Sequence, residues 1–110
     1  MTKKKADLLQ GTVEMLVLRL LQSGPLNGWD MMQRISLVSD DALAVNPGSL
    51  YPALHRFEER GLVDAEWGES ENKRRAKFYT LTAEGRKQLK RETTQWARFA
   101  DAVNAILRDA

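Results

Sequence analysis

The sequence has no cysteine and a single histidine, His55. Disulfides, thiolate nucleophiles and cysteine zinc sites are thereby excluded, and a multi-histidine metal site lacks ligands. No nucleophile, base and orienting group gather around any one residue, so neither an enzyme nor a metal or cofactor site is expected. Long apolar runs are also missing, which leaves nothing to span a bilayer. Lys3, Lys4 and Lys5 are not followed by the apolar stretch and small-residue cleavage site of a secretion signal, so the expected location is the cytoplasm. Only three prolines and seven glycines occur. They punctuate element ends, and no repeat or low-complexity tract appears. At 110 residues, 43% of them hydrophobic, the chain suits one small core with an appendage rather than two cores.

Net charge is also small, +2, but it is unevenly spread. Residues 6–72 hold four cationic and eleven acidic side chains, whereas residues 73–91 hold eight cationic side chains against Glu84 alone. A polyanion would meet that second region, and hardly the acidic first half. A merely solvated charged face is the plainer alternative.

Apolar residues at three- and four-residue steps, Leu9, Val13, Leu16, Val17, Leu20 and Leu21, predict an amphipathic first helix stopped by Ser23, Gly24 and Pro25. Asn27 is the expected cap of a second helix with Trp29, Met32 and Ile35 on one face, ending near Ser39. Residues 41–45, DALAV, read either as a short edge strand or as a loop plugged into the core. A third helix begins at Asn46 and Pro47, with Ser49 as the effective cap so that Pro52 falls in the first turn, where its missing N–H is harmless. Leu50, Ala53, Leu54 and Phe57 share its inner face, and Gly61 closes it. LVDAEW and AKFYTL then read as two strands around the polar loop GESENKRR, a long hairpin or wing. Trp67, Phe78 and Tyr79 are expected to pack within that hairpin and the core. Thr82 caps a long final helix with Glu84 in its first turn.

A helix that reads DNA needs small or polar groups at its amino end and apolar residues behind. Ser49, Tyr51, Pro52, His55 and Arg56 meet that need after Gly48: Arg56 for guanine edges or phosphate, His55 and Tyr51 for phosphate or base, Pro52 for a thymine methyl. An ordinary surface helix with Tyr51 tucked into the core is the alternative. In the wing, Lys73, Arg74, Arg75 and Lys77 suit phosphates or a minor groove, with Glu69 and Glu71 opposing. On the last helix Leu89, Thr93, Trp96, Ala100, Val103 and Leu107, flanked by Phe99 and Ile106, form a seam for another helix.

GSLYPALHRFEERGLV, RRAKFYTLTAEGRKQL and QGTVEMLVLRLLQSGPLNGWDMMQRI together resemble the PadR-type transcriptional regulators over nearly the whole chain. Trp29 and Asn27 stand where tyrosine and histidine are usual. The resemblance implies a homodimeric repressor whose single carboxy-terminal helix packs on its mate, as in short members. It also suggests a planar aromatic ligand stacked between the two subunits on Trp96, with Phe99 beside it; Trp96 simply filling the dimer core is the other reading. The expected fold is mainly α, a winged helix-turn-helix over residues 1–82 with a two-stranded wing, then a dimerisation helix over 83–110. The expected partners are double-stranded DNA and a second copy of the chain. A winged-helix module that binds protein instead of DNA is the competing reading, and a MarR-like regulator would need further flanking helices.

Overall fold

The structure, a computed structural model, describes residues 6, 7 and 10–110. Its elements run β1 (Ala6–Asp7), α1 (Gln10–Leu21), β2 (Leu26–Asn27), α2 (Gly28–Val38), β3 (Leu43–Ala44), α3 (Pro47–Glu59), β4 (Val63–Glu69), β5 (Arg75–Leu81) and α4 (Ala83–Asp109). This is the expected winged-helix order with a long terminal helix. Leu9 and the lysines at 3–5 lie outside the described residues.

α1 buries Val13, Met15, Val17, Leu18 and Leu21, while Leu16 and Leu20 are half-covered. Its apolar face is broader than the predicted stripe because α2, α3, β5 and α4 all touch it. α2 starts where expected: the buried Asn27 side chain accepts from the Asp30 N–H at 2.8 Å, satisfying one of the helix's free donors. Its inner stripe, however, is Gly28, Met31 and Ile35. Trp29 is 60% exposed, a correction to the expected face, since the glycine at 28 sets the inward phase and turns residue 29 out by one step of the helix.

Ser39 ends α2 by donating to the Ile35 carbonyl (2.7 Å) and accepting from the Leu43 N–H (3.0 Å). The ambiguous stretch is both things at once. Leu43 and Ala44 pair in parallel with β1, and Val45 plugs into the core.

α3 begins earlier than predicted. Asn46 caps it, accepting from the Ser49 N–H at 2.9 Å, with Pro47 in its first position. Pro52 therefore lies in the second turn rather than the first, where it cannot donate to the Gly48 carbonyl. Both residues are exposed, so water can serve that acceptor. Leu50, Ala53, Leu54 and Phe57 are buried as expected. The helix stops with Gly61 in the left-handed region (φ 71°), the Gly61 N–H donating to the Glu58 carbonyl and the Leu62 N–H to the Phe57 carbonyl, a Schellman ending that glycine accommodates without strain.

β4 and β5 form an antiparallel ladder from Val63 opposite Leu81 to Glu69 opposite Arg75. The strands extend two residues further on one side and one on the other than predicted, and shorten the tip to residues 70–74. A third strand joins them that the sequence pattern does not predict: β2 pairs with β5, Leu26 opposite Tyr79. Two residues are too few to show alternation in a sequence.

At the base of the wing, the Thr82 hydroxyl donates to the Gly61 carbonyl (2.7 Å) and accepts from the Gly85 N–H (3.0 Å), capping α4. Leu89 is buried within the chain's own core, which corrects its assignment to the intermolecular seam: the first two turns of α4 are needed to close the head. Gly85 sits so close to the wing base that a Cβ there would strike the Leu62 carbonyl oxygen and the Leu81 side chain. A backbone oxygen cannot step aside. Gly85→Ala should therefore lose about 1–3 kcal/mol of stability, despite the better helix propensity of alanine. A lower denaturation midpoint at unchanged slope and fixed protein concentration is the expected result; an unshifted midpoint would mean the junction is looser than it looks.

Candidate nucleic-acid interface

The amino end of α3 presents exposed Pro47, Gly48, Tyr51, Pro52 and His55 and half-buried Ser49, all held by the apolar face behind them. Tyr51 is neither free nor in the core. It is 46% exposed, and its ring lies where a Cβ on Gly28 would come within 2.7 Å, so the glycine at the start of α2 makes room for it. His55 is exposed and lies 3.3 Å from Glu59, one turn on.

Arg56 departs from its expected role. Its guanidinium donates to Glu14 of α1 at 3.0 Å. One guanidinium nitrogen thus ties α3 to α1, while the side chain stays 43% exposed, so Arg56 is a clamp between the helices before it is a group held out for base edges. A lone arginine code on a helix does not reveal a carboxylate forty-two positions away.

The wing cations divide into two kinds. Lys77 is bonded to Glu58 of α3 at 3.0 Å, and this hydrogen bond holds its ammonium above the ordinary lysine value despite opposing desolvation. Its charge is present but compensated. Lys73, Arg74 and Arg75 are exposed, and no carboxylate among the described residues lies within ion-pair distance of them. Lys73 adopts a left-handed conformation (φ 57°) at the tip, where the Ser70 hydroxyl accepts from the Arg74 N–H.

Of the hairpin aromatics, Tyr79 is buried, and burial pushes its phenol up. Phe78 is half-buried against Gly68. Trp67 departs from the expected packing: it is 57% exposed, and the Arg75 guanidinium lies over its ring at 4.7 Å. Between the inner face of the wing and the α2–α3 corner runs a groove of about 650 Å³ lined by Trp29, Tyr51, Trp67, Arg74 and Arg75 among others. Sequence reasoning missed it. The signal available was the period of two, which places Val63, Ala65 and Trp67 on one face with Leu81, Tyr79, Lys77 and Arg75.

Along α4, Trp96, Phe99, Val103, Ile106 and Leu107 are exposed large apolar groups and Ala100 is half-covered. The Trp96 and Phe99 rings are 6.0 Å apart and tilted by 38°. Among the described residues no cluster of three or more acidic or histidine side chains could hold a metal ion, and no helix is long and apolar enough to cross a membrane.

Residues 17–91 match the model of the transcriptional regulator PadR-like family. A PadR family transcriptional regulator from Eggerthella lenta has a similar structure at TM-score 0.74, 31% identity, 92% of this chain and 86% of that one. A transcriptional regulator from Clostridium thermocellum superposes at TM-score 0.81 with 26% identity, over 90% of this chain and 96% of its own. An uncharacterized 37.1 kDa protein in a Streptomyces fradiae transposon is 41% identical over 90 residues, 82% of this chain but only 24% of that protein's length.

If Arg56 is a clamp, Glu14→Gln and Arg56→Gln should each destabilise the fold, and the double variant should lose less than the sum. A coupling of about 0.5–1 kcal/mol is expected for a pair this exposed. Strict additivity in a double-mutant cycle would return Arg56 to the outer surface.

Proposed function

The chain belongs to the PadR-like family of transcriptional regulators, and from that premise we propose that it is a homodimeric DNA-binding repressor. The observation that carries this reading is the exposed amino end of α3 standing beside a wing whose Lys73, Arg74 and Arg75 have no acidic partner among the described residues. Ser49, Tyr51, Pro52 and His55 would meet base edges and the adjoining backbone, while the wing cations meet phosphate. Lys77 contributes mainly through Glu58, and Arg56 by fixing the tilt of α3.

Dimerisation is assigned to α4. Trp96, Phe99, Val103, Ile106 and Leu107 are left exposed by the described residues, with Ala100 half-covered between them, and burying that stripe against a twin removes its area from water. In this scheme residues 1–82 are the reading head and 83–110 the dimerisation helix, although the first turns of α4 also complete the head's core. A twofold axis through the seam makes the operator palindromic, with half-sites about one helical turn apart. A planar aromatic ligand stacked on Trp96 and Phe99 at the axis would release the operator by changing the angle between heads; if Trp96 fills the dimer core instead, the signal enters elsewhere. No catalytic step is needed, and the cytoplasm is the setting that fits a regulator of transcription.

Retardation of the DNA upstream of its own gene tests the reading, and failure to bind any duplex would favour the protein-docking alternative. Reversing Arg74 and Arg75 to glutamate should weaken binding to every sequence alike and flatten the salt dependence by roughly one unit per lost phosphate contact. An unchanged slope removes the wing from the interface. Val103→Asn with Leu107→Asn should shift sedimentation from dimer to monomer and abolish operator binding while the head stays folded. Persistence of the dimer would rule out the α4 stripe as its seam.

A further inference from the structure

The Arg75–Trp67 contact is more specific than a basic wing requires. Arg75 stands directly across the ladder from Glu69, the natural partner for a guanidinium, yet it forms no ion pair with that carboxylate among the described residues and lies instead over the Trp67 ring at 4.7 Å. The difference matters chemically. A carboxylate would consume the N–H donors along the edge of the guanidinium, whereas an aromatic ring occupies its flat face and leaves those donors free. The stack also restricts a side chain that would otherwise lose rotamer freedom on binding. Lys77, one position further down the same face, has the opposite arrangement, its ammonium committed to Glu58.

Location makes this useful. Trp67 leaves the core at the point where the inner face of the hairpin passes beyond Tyr79, and both Trp67 and Arg75 open on the groove between the wing and the α2–α3 corner. When a helix reads a major groove and its wing reaches the flanking backbone, the strand between them runs along that groove. The groove also carries two carboxylates, Asp30 and Glu71, neither within ion-pair distance of Arg75. They disfavour a polyanion anywhere but at the aimed cations.

We propose that Trp67 is a positioning residue of the DNA interface, holding the Arg75 guanidinium by its face so that its edge is presented to a phosphate of the strand lying between α3 and the wing. This rests on the DNA-binding reading above. The experiment is fluorescence anisotropy with the tightest duplex that the wild-type protein selects from a random-sequence pool, over a range of salt concentrations. Trp67→Ala should weaken binding about fivefold with an unchanged salt slope, because no charge is removed. Arg75→Ala should weaken it further and lower the slope by about one unit. The double variant should bind no worse than Arg75→Ala, and Trp67→Phe, which keeps a ring, should recover most of the loss. Melting should stay at the wild-type temperature for Trp67→Ala, as the residue lies outside the core. If Trp67→Ala binds like the wild type, or if its effect multiplies with that of Arg75→Ala, Trp67 does not position Arg75, and the DNA-binding reading stands without it. If the wild type selects no duplex, both fall together.

Discussion

The end of α3, the root of the wing and the start of α4 meet at one small junction. The carbonyl of Gly61 at the end of α3, the carbonyl of Leu62 at the root of the wing and the N–H of Gly85 in the first turn of α4 are tied by Thr82, whose hydroxyl bonds Gly61 and Gly85 and whose N–H bonds Leu62. Leu62 and Gly85 are buried, so their backbone groups would otherwise be left unpaired in the core, and that cost holds the arrangement; Gly61 is exposed, and its carbonyl is tied in by the same hydroxyl. The absence of a side chain at 85 and the left-handed backbone at 61 are what let the pieces approach. The end of α3, the wing and α4 thus share one origin.

Electrostatics is arranged by pairing rather than by total charge. Of the five cations Arg56, Lys73, Arg74, Arg75 and Lys77, two are already matched, Arg56 with Glu14 and Lys77 with Glu58. Those pairs link α3 to α1 and to β5, respectively, and so fix how the helix is carried. Of the remaining three, Lys73 and Arg74 stand at the wing tip and Arg75 opens β5. Under the proposed function this separates the cations that orient the reading surface from those that touch its partner.

Much of this is legible in the amino-acid sequence. Caps and stops are local chemistry, so Asn27 and Thr82 announce their helices, whereas at α3 two candidate caps compete and Asn46 prevails over Ser49; the inner face of α3 follows from its period. The long hairpin is readable from its β-branched and aromatic residues. What escapes has a non-local cause. Trp29 is misassigned by periodicity because the inward phase of α2 is set by Gly28, which is cut away to admit Tyr51 from another element. Leu89 has the spacing of the exposed apolar stripe and differs from it only because β5 and α1 cover that end of α4. Arg56 and Lys77 carry no mark of the carboxylates that meet them, and the two-residue strand β2 is too short to have a period.

The outer turns of α4 have a different standing from everything beneath them. Ile106 and Leu107 are 65% and 78% exposed, so changing them to polar residues takes almost nothing from the packing of an isolated chain. A mutational survey scored on folding yield at high dilution would rank these positions with ordinary surface sites. Under the proposed function, pairing and folding would therefore draw on separate stretches of the same helix, the buried Leu89 serving the head and the exposed residues from Trp96 onward serving the choice of mate.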